Sequence, residues 1–390
     1  MDLPALRGAA DAEAAGLDAA DAADRLILDE AREVVAATPI GRIAVIGDAH
    51  GALAIGALSS AGAPRDGEHL RVHQDALLGE RAIVANAERL GLGASVRMLP
   101  LAPELVRDAR VVLLRLPRSL DQLDEVSGLI ADHADPAAVV FAGGRIKHMT
   151  PAMNDVLRRR FGRLDISHAR QKSRVLIARE PIRPVADGET ARADAPHPIT
   201  WPRRAHDDAL DLDVVAHGGA FAGASVDIGT RFLVGRLPEL LDGRPAPRRP
   251  IDLACGTGVV AVCLARLLPT APIEAYDQSA AAVASARLTA AANGVGDRVR
   301  AERADGLELV PDGASDLVVL NPPFHSGAAI TTALAERLFA DAGRALAPGG
   351  RLVAVWNSHL RYRAALERAV GPTRQVARDP KFTVTVSTRR

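Results

Sequence analysis

The chain has 390 residues, enough for two or three domains at roughly 150 residues each, and its 48% apolar and 25% charged content is that of a globular protein, not a disordered one. Its 48 Lys+Arg and 48 Asp+Glu cancel, which excludes a uniformly basic, polyanion-coating surface but leaves room for a local basic patch. Seven Phe, two Trp and two Tyr exclude a broad base-stacking platform, and two cysteines, Cys255 and Cys263, exclude a disulfide framework. The start is acidic and helix-prone, with nine acids against three arginines in residues 1–40. It lacks the basic flank and apolar core of a secretory signal. No apolar run approaches the ~18 residues of a membrane span, so a cytoplasmic protein is expected.

Gly41–Leu58 then reads as an apolar strand, a glycine turn and an apolar helix. The segments 69–91, Ala109–Ile130 and 136–162 repeat the strand-to-helix pattern. Strands alternating with helices of 10–15 residues imply parallel βαβ units. Pro181–Pro198 is Pro-rich, polar and aperiodic, the composition of a linker. Ile199–Ala222 alternates like a hairpin, and 227–241 is helical. A second series follows: strand, glycine turn and helix from Ile251; strand, acid and helix from Ala271; then strands ending at Asp305, at Asn321 and in the last residues. The two halves share one order of elements, so Gly47–Gly51 corresponds to Ala254–Gly258, and Leu114–Ser119 to Leu320–His325.

The second half carries the chemistry-bearing residues. Asp252-Leu-Ala-Cys-Gly256-Thr-Gly258 follows a strand and opens a helix, where glycines let the backbone approach a ligand and the helix N-terminus favours an anion. A ligand-free tight turn is the plain alternative. Asp277 ends the next strand, where an acid accepts from a ribose diol or caps the helix starting near Ser279. Asp305 ends the third strand; a carboxylate there takes an adenine exocyclic N–H, or simply forms the turn before Gly306. Asn321-Pro322-Pro323-Phe324 follows an apolar strand. Two prolines there are costly unless a special backbone is wanted. The turn would expose the Asn321 amide oxygen and the Pro322 carbonyl, two acceptors able to hold a planar NH2 between them, with Phe324 stacked on the attached ring.

In order and spacing, these motifs resemble those of the class I S-adenosylmethionine-dependent methyltransferases that modify exocyclic or amide nitrogens. Phe221 and Asp227-Ile-Gly-Thr230-Arg-Phe before the glycine turn, His325 and Gly327 after the prolines, and the terminal 381–384 strand extend the likeness to the ribosomal RNA guanine-N2 methyltransferases with two tandem methyltransferase-like domains. Residues 17–28 and 142–150 look most like the members acting on large-subunit (23S) rRNA, with the small-subunit (16S) enzymes as close siblings. The resemblance spans nearly the whole chain and is strongest in the second half.

That resemblance implies two Rossmann-like α/β domains, each a mostly parallel twisted sheet flanked by helices. Residues 1–183 would be a degenerate copy serving RNA recognition, 184–198 a linker, and 199–390 the catalytic domain. It implies that Thr230, Asp252, Ala254, Gly256, Gly258, Asp277, Asp305, Gly306 and Asn321 bind S-adenosyl-L-methionine, and that Asn321, Pro322, Pro323 and Phe324 form the catalytic turn. No metal is called for, and a monomer is expected. The first glycine turn, Gly47–Gly51, has no acid four residues before a GxG, and Arg115-Leu-Pro-Arg118 replaces the amide acceptor with a cation, so the first half is expected to bind no cofactor. Between Arg145 and Arg183 stand eleven Lys/Arg against three acids. Arg145, Lys147, Arg158, Arg159, Arg160 and Arg163 are the expected phosphate contacts, solvated helix faces being the alternative. The function expected is methylation of a guanine N2 amine in rRNA, most directly 23S rRNA. A 16S target, a protein glutamine amide, an adenine amine and a non-catalytic RNA-binding assembly factor are the alternatives.

Overall fold

The structure, a computed structural model, describes residues 6, 20–61, 67–183, 200–323 and 328–390; the expected linker 184–198 lies outside them. The chain divides into two compact units, Met1–Trp201 and Pro202–Arg390.

In the first unit, strands β1 (Ile43–Ile46), β2 (Leu70–His73), β3 (Val96–Met98), β4 (Val111–Arg115), β5 (Val139–Arg145), β6 (Phe161–Ile166) and β7 (Ser173–Pro181) form one sheet in the order β3-β2-β1-β4-β5-β7-β6. All neighbours are parallel except β7, which runs antiparallel to β5 and β6. β1 is buried at all four positions, as a central parallel strand covered by helices on both faces must be. Two apolar clusters line the sheet, one built around Leu123, Met153 and Phe161, the other around Ile27, Leu53, Ile83 and Phe141.

The second unit opens with a separate antiparallel hairpin, β8 (Arg203–Asp207) and β9 (Leu212–Ala216). Its main sheet holds β10 (Pro250–Leu253), β11 (Ile273–Asp277), β12 (Val299–Arg303), β13 (Ser315–Leu320), β14 (Leu346–Asn357), β15 (Thr373–Arg378) and β16 (Phe382–Thr388), in the order β12-β11-β10-β13-β14-β16-β15. This is the first sheet's order repeated, with β16 antiparallel to β14 and β15. The expected pseudo-repeat is therefore a repeat of topology. In both units the polar turns that matter lie at the carboxyl ends of the central strands, the usual ligand side of an open α/β sheet.

The expected strands and helices fall where the apolar runs put them. The helical stretch 227–241 forms two short helices, Ile228–Val234 and Leu237–Leu241. Gly235 ends the first, and Pro238 sits at the start of the second, where its missing N–H costs nothing. Among the described residues no helix is long and apolar enough to cross a membrane.

Candidate active site

The glycine turn of the second unit is built by backbone geometry. Ala254, Gly256 and Gly258 all take left-handed φ values, +57°, +53° and +79°. Ala254 carries a Cβ in a region that costs about 1–2 kcal/mol, so the turn is held there by its surroundings. Gly258 has no substitute: a Cβ would lie 2.8 Å from the Ala286 backbone on the next helix. The turn feeds the helix Val259–Leu267.

Asp252 is buried at the end of β10, and its Oδ2 accepts the Ala261 N–H at 2.9 Å. Burial, helped by the negative charge of Asp277, pushes its carboxyl up to about 8. It braces the turn from within. Asp277, at the end of β11, accepts the Gly256 N–H at 3.0 Å through Oδ2 and the Ser279 N–H at 2.9 Å through Oδ1. The cap of the following helix is Ser279, whose hydroxyl accepts from Ala282 N. Asp277 thus sits beside the glycine turn and ties the two strand ends together.

Asp305 faces a partner the sequence did not suggest. Arg337, on the helix Ala328–Ala345, grips its carboxylate in a bidentate pair at 2.8 and 3.0 Å. Burial raises the Asp305 pKa while the guanidinium works against it. Gly306 (φ +58°) has no room for a side chain, since a Cβ would fall 2.0 Å from Asp341 Oδ2.

Asn321 follows β13, half-buried, with Pro322 buried behind it and Pro323 exposed. Phe324, His325 and Gly327 lie outside the described residues. The Asn321 Nδ2 donates to Thr230 Oγ1 at 2.9 Å and to Asp227 Oδ2 at 3.3 Å. Both partners start the helix Ile228–Val234: Asp227 is its N-cap, accepting from Gly229 N and Thr230 N. A carboxylate only accepts, so the amide nitrogen must be the end that faces it. The other end, Oδ1, is buried and has no hydrogen-bond partner among the described residues. A buried acceptor left unpaired costs about 1–3 kcal/mol, so this atom is set for a donor from outside the chain. Thr230 was expected at the site; Asp227 appeared in a motif without a role. The available signal was an Asp followed three residues later by Thr at a helix start.

These residues suit S-adenosylmethionine. A strained turn opens a helix, a carboxylate stands at the next strand end, and an orphaned acceptor sits just past the end of β13, the strand paired with β10. Asp305 fits less simply, because Arg337 already claims its carboxylate.

The first unit builds the same corner differently. Asp48, buried, accepts Gly51 N and Ala54 N at 2.9 Å each, so the turn's own side chain takes the helix N-terminus that an anionic ligand would use. Arg115, at the end of β4, pairs with Asp21 and Asp24. Asp21 is the N-cap of the helix Ala22–Ala36, and Asp24 its third residue.

The expected phosphate contacts separate into two groups. Arg158, Arg159 and Arg160 do not form one solvated face. Arg159 and Arg160 converge on buried Asp124, at 3.2 and 3.6 Å, where Trp201 Nε1 also donates at 2.9 Å. Arg160 is itself buried, its guanidinium lying over Gly128. Arg158 pairs loosely with Asp155, and Arg163 with Asp165. A run of arginines suggested surface charge, but the helix ends at Arg158 and the chain turns inward. Arg145 and Lys147 stand instead at the carboxyl end of β5. There His148 is held below its ordinary pKa by desolvation and by Arg118, Lys147, Arg145 and Arg115. Arg118 was missed as a member of this group because the pairing of β4 with β5 brings it beside His148 from a separate stretch of sequence.

Residues 211–386 match the family described as "Methyltransferase small domain", and residues 5–182 match the "RLMG N-terminal domain" family. The chain is 37% identical over 370 residues to "Ribosomal RNA large subunit methyltransferase G" of Pseudomonas paraeruginosa, covering 94% of this chain and 92% of the relative. It is 37% identical over 373 residues to the protein of that name from Streptomyces coelicolor, covering 94% and 93%. Among solved structures, the 16S rRNA N2 methyltransferase of T. thermophilus, in complex with AdoMet and guanosine, superposes with a TM-score of 0.70 at 21% identity over 93% of this chain and 92% of that one. This last likeness concerns the fold.

Proposed function

The chain belongs to the ribosomal RNA large subunit methyltransferase G family, and from that premise we propose that it methylates the exocyclic N2 amine of a guanine in 23S rRNA, using S-adenosyl-L-methionine. One observation carries the site assignment: the buried, unpartnered Oδ1 of Asn321 beside the glycine turn. Bound S-adenosylmethionine supplies an already activated methyl group, so the chain's task is alignment, for which roughly 7–11 kcal/mol is available from orientation.

In this reading Gly256 and Gly258 let the backbone approach the cofactor, with Ala254 shaping the same turn. Asp277 takes the ribose hydroxyls. Asp305 and Gly306 border the adenine, with Arg337 fixing Asp305. Guanine N2 is a poor nucleophile because its lone pair is delocalised into the ring. Asn321 Oδ1 and the Pro322 carbonyl would accept its two hydrogens and favour a pyramidal, more nucleophilic nitrogen. Pro323 keeps the turn rigid, and Phe324 is the stacking ring. The N–H proton becomes acidic once the methyl is attached, so no strong base has to act first. If the target is paired, flipping it out costs a few kcal/mol.

The first unit, with Arg145, Lys147, Arg118 and His148 at its sheet end, would hold RNA phosphates. A cytoplasmic monomer without a metal is the form we propose. The test is methyl transfer from labelled S-adenosylmethionine to ribosomal RNA from a deletion strain, with mapping of the product. We expect N2-methylguanosine at one position of 23S rRNA. Label in adenine, in 16S rRNA alone or in protein would overturn the assignment.

A further inference from the structure

We propose that Asp227 and Thr230 are positioning residues that lock the Asn321 amide with its oxygen toward the substrate. The effect of this clamp on methyl transfer rests on the function proposed above; its geometry does not. An Asn side chain is nearly symmetric in shape about its last bond, so packing alone does not choose which end faces the pocket. The choice must come from hydrogen bonds. A flipped Asn321 would present NH2 to the substrate's NH2, donor against donor, and lose the contact that holds the amine.

Asp227 sets the choice because its carboxylate only accepts. It sits at 3.3 Å from Asn321 Nδ2, and Thr230 Oγ1 adds the shorter contact at 2.9 Å. Neither is free to move. Asp227 Oδ2 already accepts Gly229 N at 2.9 Å and Thr230 N at 3.1 Å as the helix cap. Behind them, Gly229 is pressed against Phe382 of β16 so closely that a Cβ would stand 3.0 Å from its ring. The clamp is therefore part of the scaffold, as a pre-organised site requires.

The first unit supplies an independent observation. There the last residue of the fourth strand, the counterpart of Asn321, is also gripped by the N-cap and third residue of a helix that precedes the sheet: Arg115 by Asp21 and Asp24. The gripping pair changes with the group it holds. Two carboxylates meet a cation in the first unit, and a carboxylate and a hydroxyl meet an amide in the second. Only the second arrangement leaves an acceptor over, Asn321 Oδ1.

Thr230→Val keeps the shape and removes the accepting oxygen; Thr230→Ser restores it. The first readout is the Asn321 side-chain NH2 signal in 15N-labelled full-length protein without cofactor, identified by its loss in Asn321→Ala. We expect slow proton exchange in the wild type and in Thr230→Ser, and solvent-like exchange in Thr230→Val. The second readout is the single-turnover rate at saturating S-adenosylmethionine. We expect a fall of about tenfold or more in Thr230→Val, since misplacement by ~1 Å can cost ~10²-fold. Thr230→Ser should recover most of the rate, and cofactor affinity by calorimetry should stay within about twofold, the pattern of an interaction made in the transition state. An unchanged NH2 signal, or an unchanged rate at saturation, overturns the proposal. So does a loss confined to cofactor affinity, which would make Thr230 a cofactor contact. If the wild type fails to methylate rRNA, the proposed function falls, and the NH2 signal still decides the clamp.

Discussion

Arg115 occupies in the first unit the position that Asn321 occupies in the second. Each directly follows a leucine, Leu114 or Leu320, that pairs with the last residue of the central strand, Ile46 or Leu253. The exchange turns an open acceptor into a closed ion cluster. Asp24 is almost fully buried, and burial holds its carboxyl up at about 6 even with Arg115 against it. Arg115→Met would strand that charge. Breaking a fully buried pair costs about 3–5 kcal/mol; Arg115 and Asp21 keep some solvent contact, so we expect roughly 1–3 kcal/mol. The loss should be larger at pH 8 than at pH 5, where Asp24 takes up a proton and no longer needs the cation. Urea midpoints at the two pH values check this. With Asp48 and Arg115 filling the first corner, titration calorimetry should find one S-adenosylmethionine per chain.

Asp252 makes stability depend on pH in a direction opposite to that of a salt-bridged acid. Its folded-state pKa is raised to about 8 by burial, so between the ordinary carboxylate range and pH 8 the folded protein holds a proton that the unfolded chain has released. Unfolding free energy therefore falls as pH rises through that window, by up to about 1.4 kcal/mol per unit, and levels off above it. Asp24 and Asp48, also raised by burial, add to the slope at its lower end. Asp252→Asn keeps an acceptor for Ala261 N and removes the titration. Its denaturation midpoint should flatten with pH and exceed the wild type's near pH 8. A parallel slope in both proteins would mean that Asp252 is ionised in the fold.

The arginines of the first unit should divide into two kinds by experiment. Arg160→Ala leaves Asp124 buried with one cation fewer and should cost about 1–3 kcal/mol of stability. Arg145→Gln with Lys147→Gln should leave stability alone and weaken RNA binding. Each lost phosphate contact should lower the slope of log affinity against log salt by about 0.7–0.9. Filter binding across a salt series, beside thermal melts, separates the two. An unchanged salt slope in the Arg145/Lys147 variant would remove this end of the sheet from the RNA surface.

Much of this architecture was legible in the sequence because its central strands are nearly continuous apolar runs. Ile43–Ile46, Val111–Arg115 and Ser315–Leu320 announce themselves, as do the turns after them. β3, β6 and β15 did not. They are short, partly exposed and carry charges such as Arg97, Arg163 and Arg374, so no period of two stands out. The site was legible where it is local: the glycine turn, the strand-end acids, the Asn-Pro-Pro turn. It was not where it depends on distant pairs. Arg115 meets Asp21 across 94 residues, Asn321 meets Thr230 across 91, and Arg337 meets Asp305 across 32. No periodicity marks such partners; the topology of the sheet brings them together.

Asn321 gives the sharpest test of the catalytic assignment. Asn321→Ala removes the only side-chain acceptor in the turn and leaves β13 and Pro322 in place. The fold should survive, because the lost contacts to Asp227 and Thr230 lie at the edge of the helix cap, and that cap keeps its own bonds to Gly229 N and Thr230 N. RNA affinity should also survive, since phosphate contacts supply most of it. The loss should therefore fall on kcat, by roughly 10²-fold or more if the contact forms fully only in the transition state. Asn321→Asp is more demanding. It keeps an acceptor but sets a second carboxylate 3.3 Å from Asp227 Oδ2, where like charges repel and one of the pair is driven to hold a proton. That proton would sit between the two carboxylates at acid pH, restoring a neutral acceptor. Residual activity in Asn321→Asp should accordingly rise as pH falls, while the wild type shows no such trend in the same window. Single-turnover rates from pH 5.5 to 8.5 measure this. Wild-type rates in both variants would reduce the Asn-Pro-Pro turn to a strand terminator.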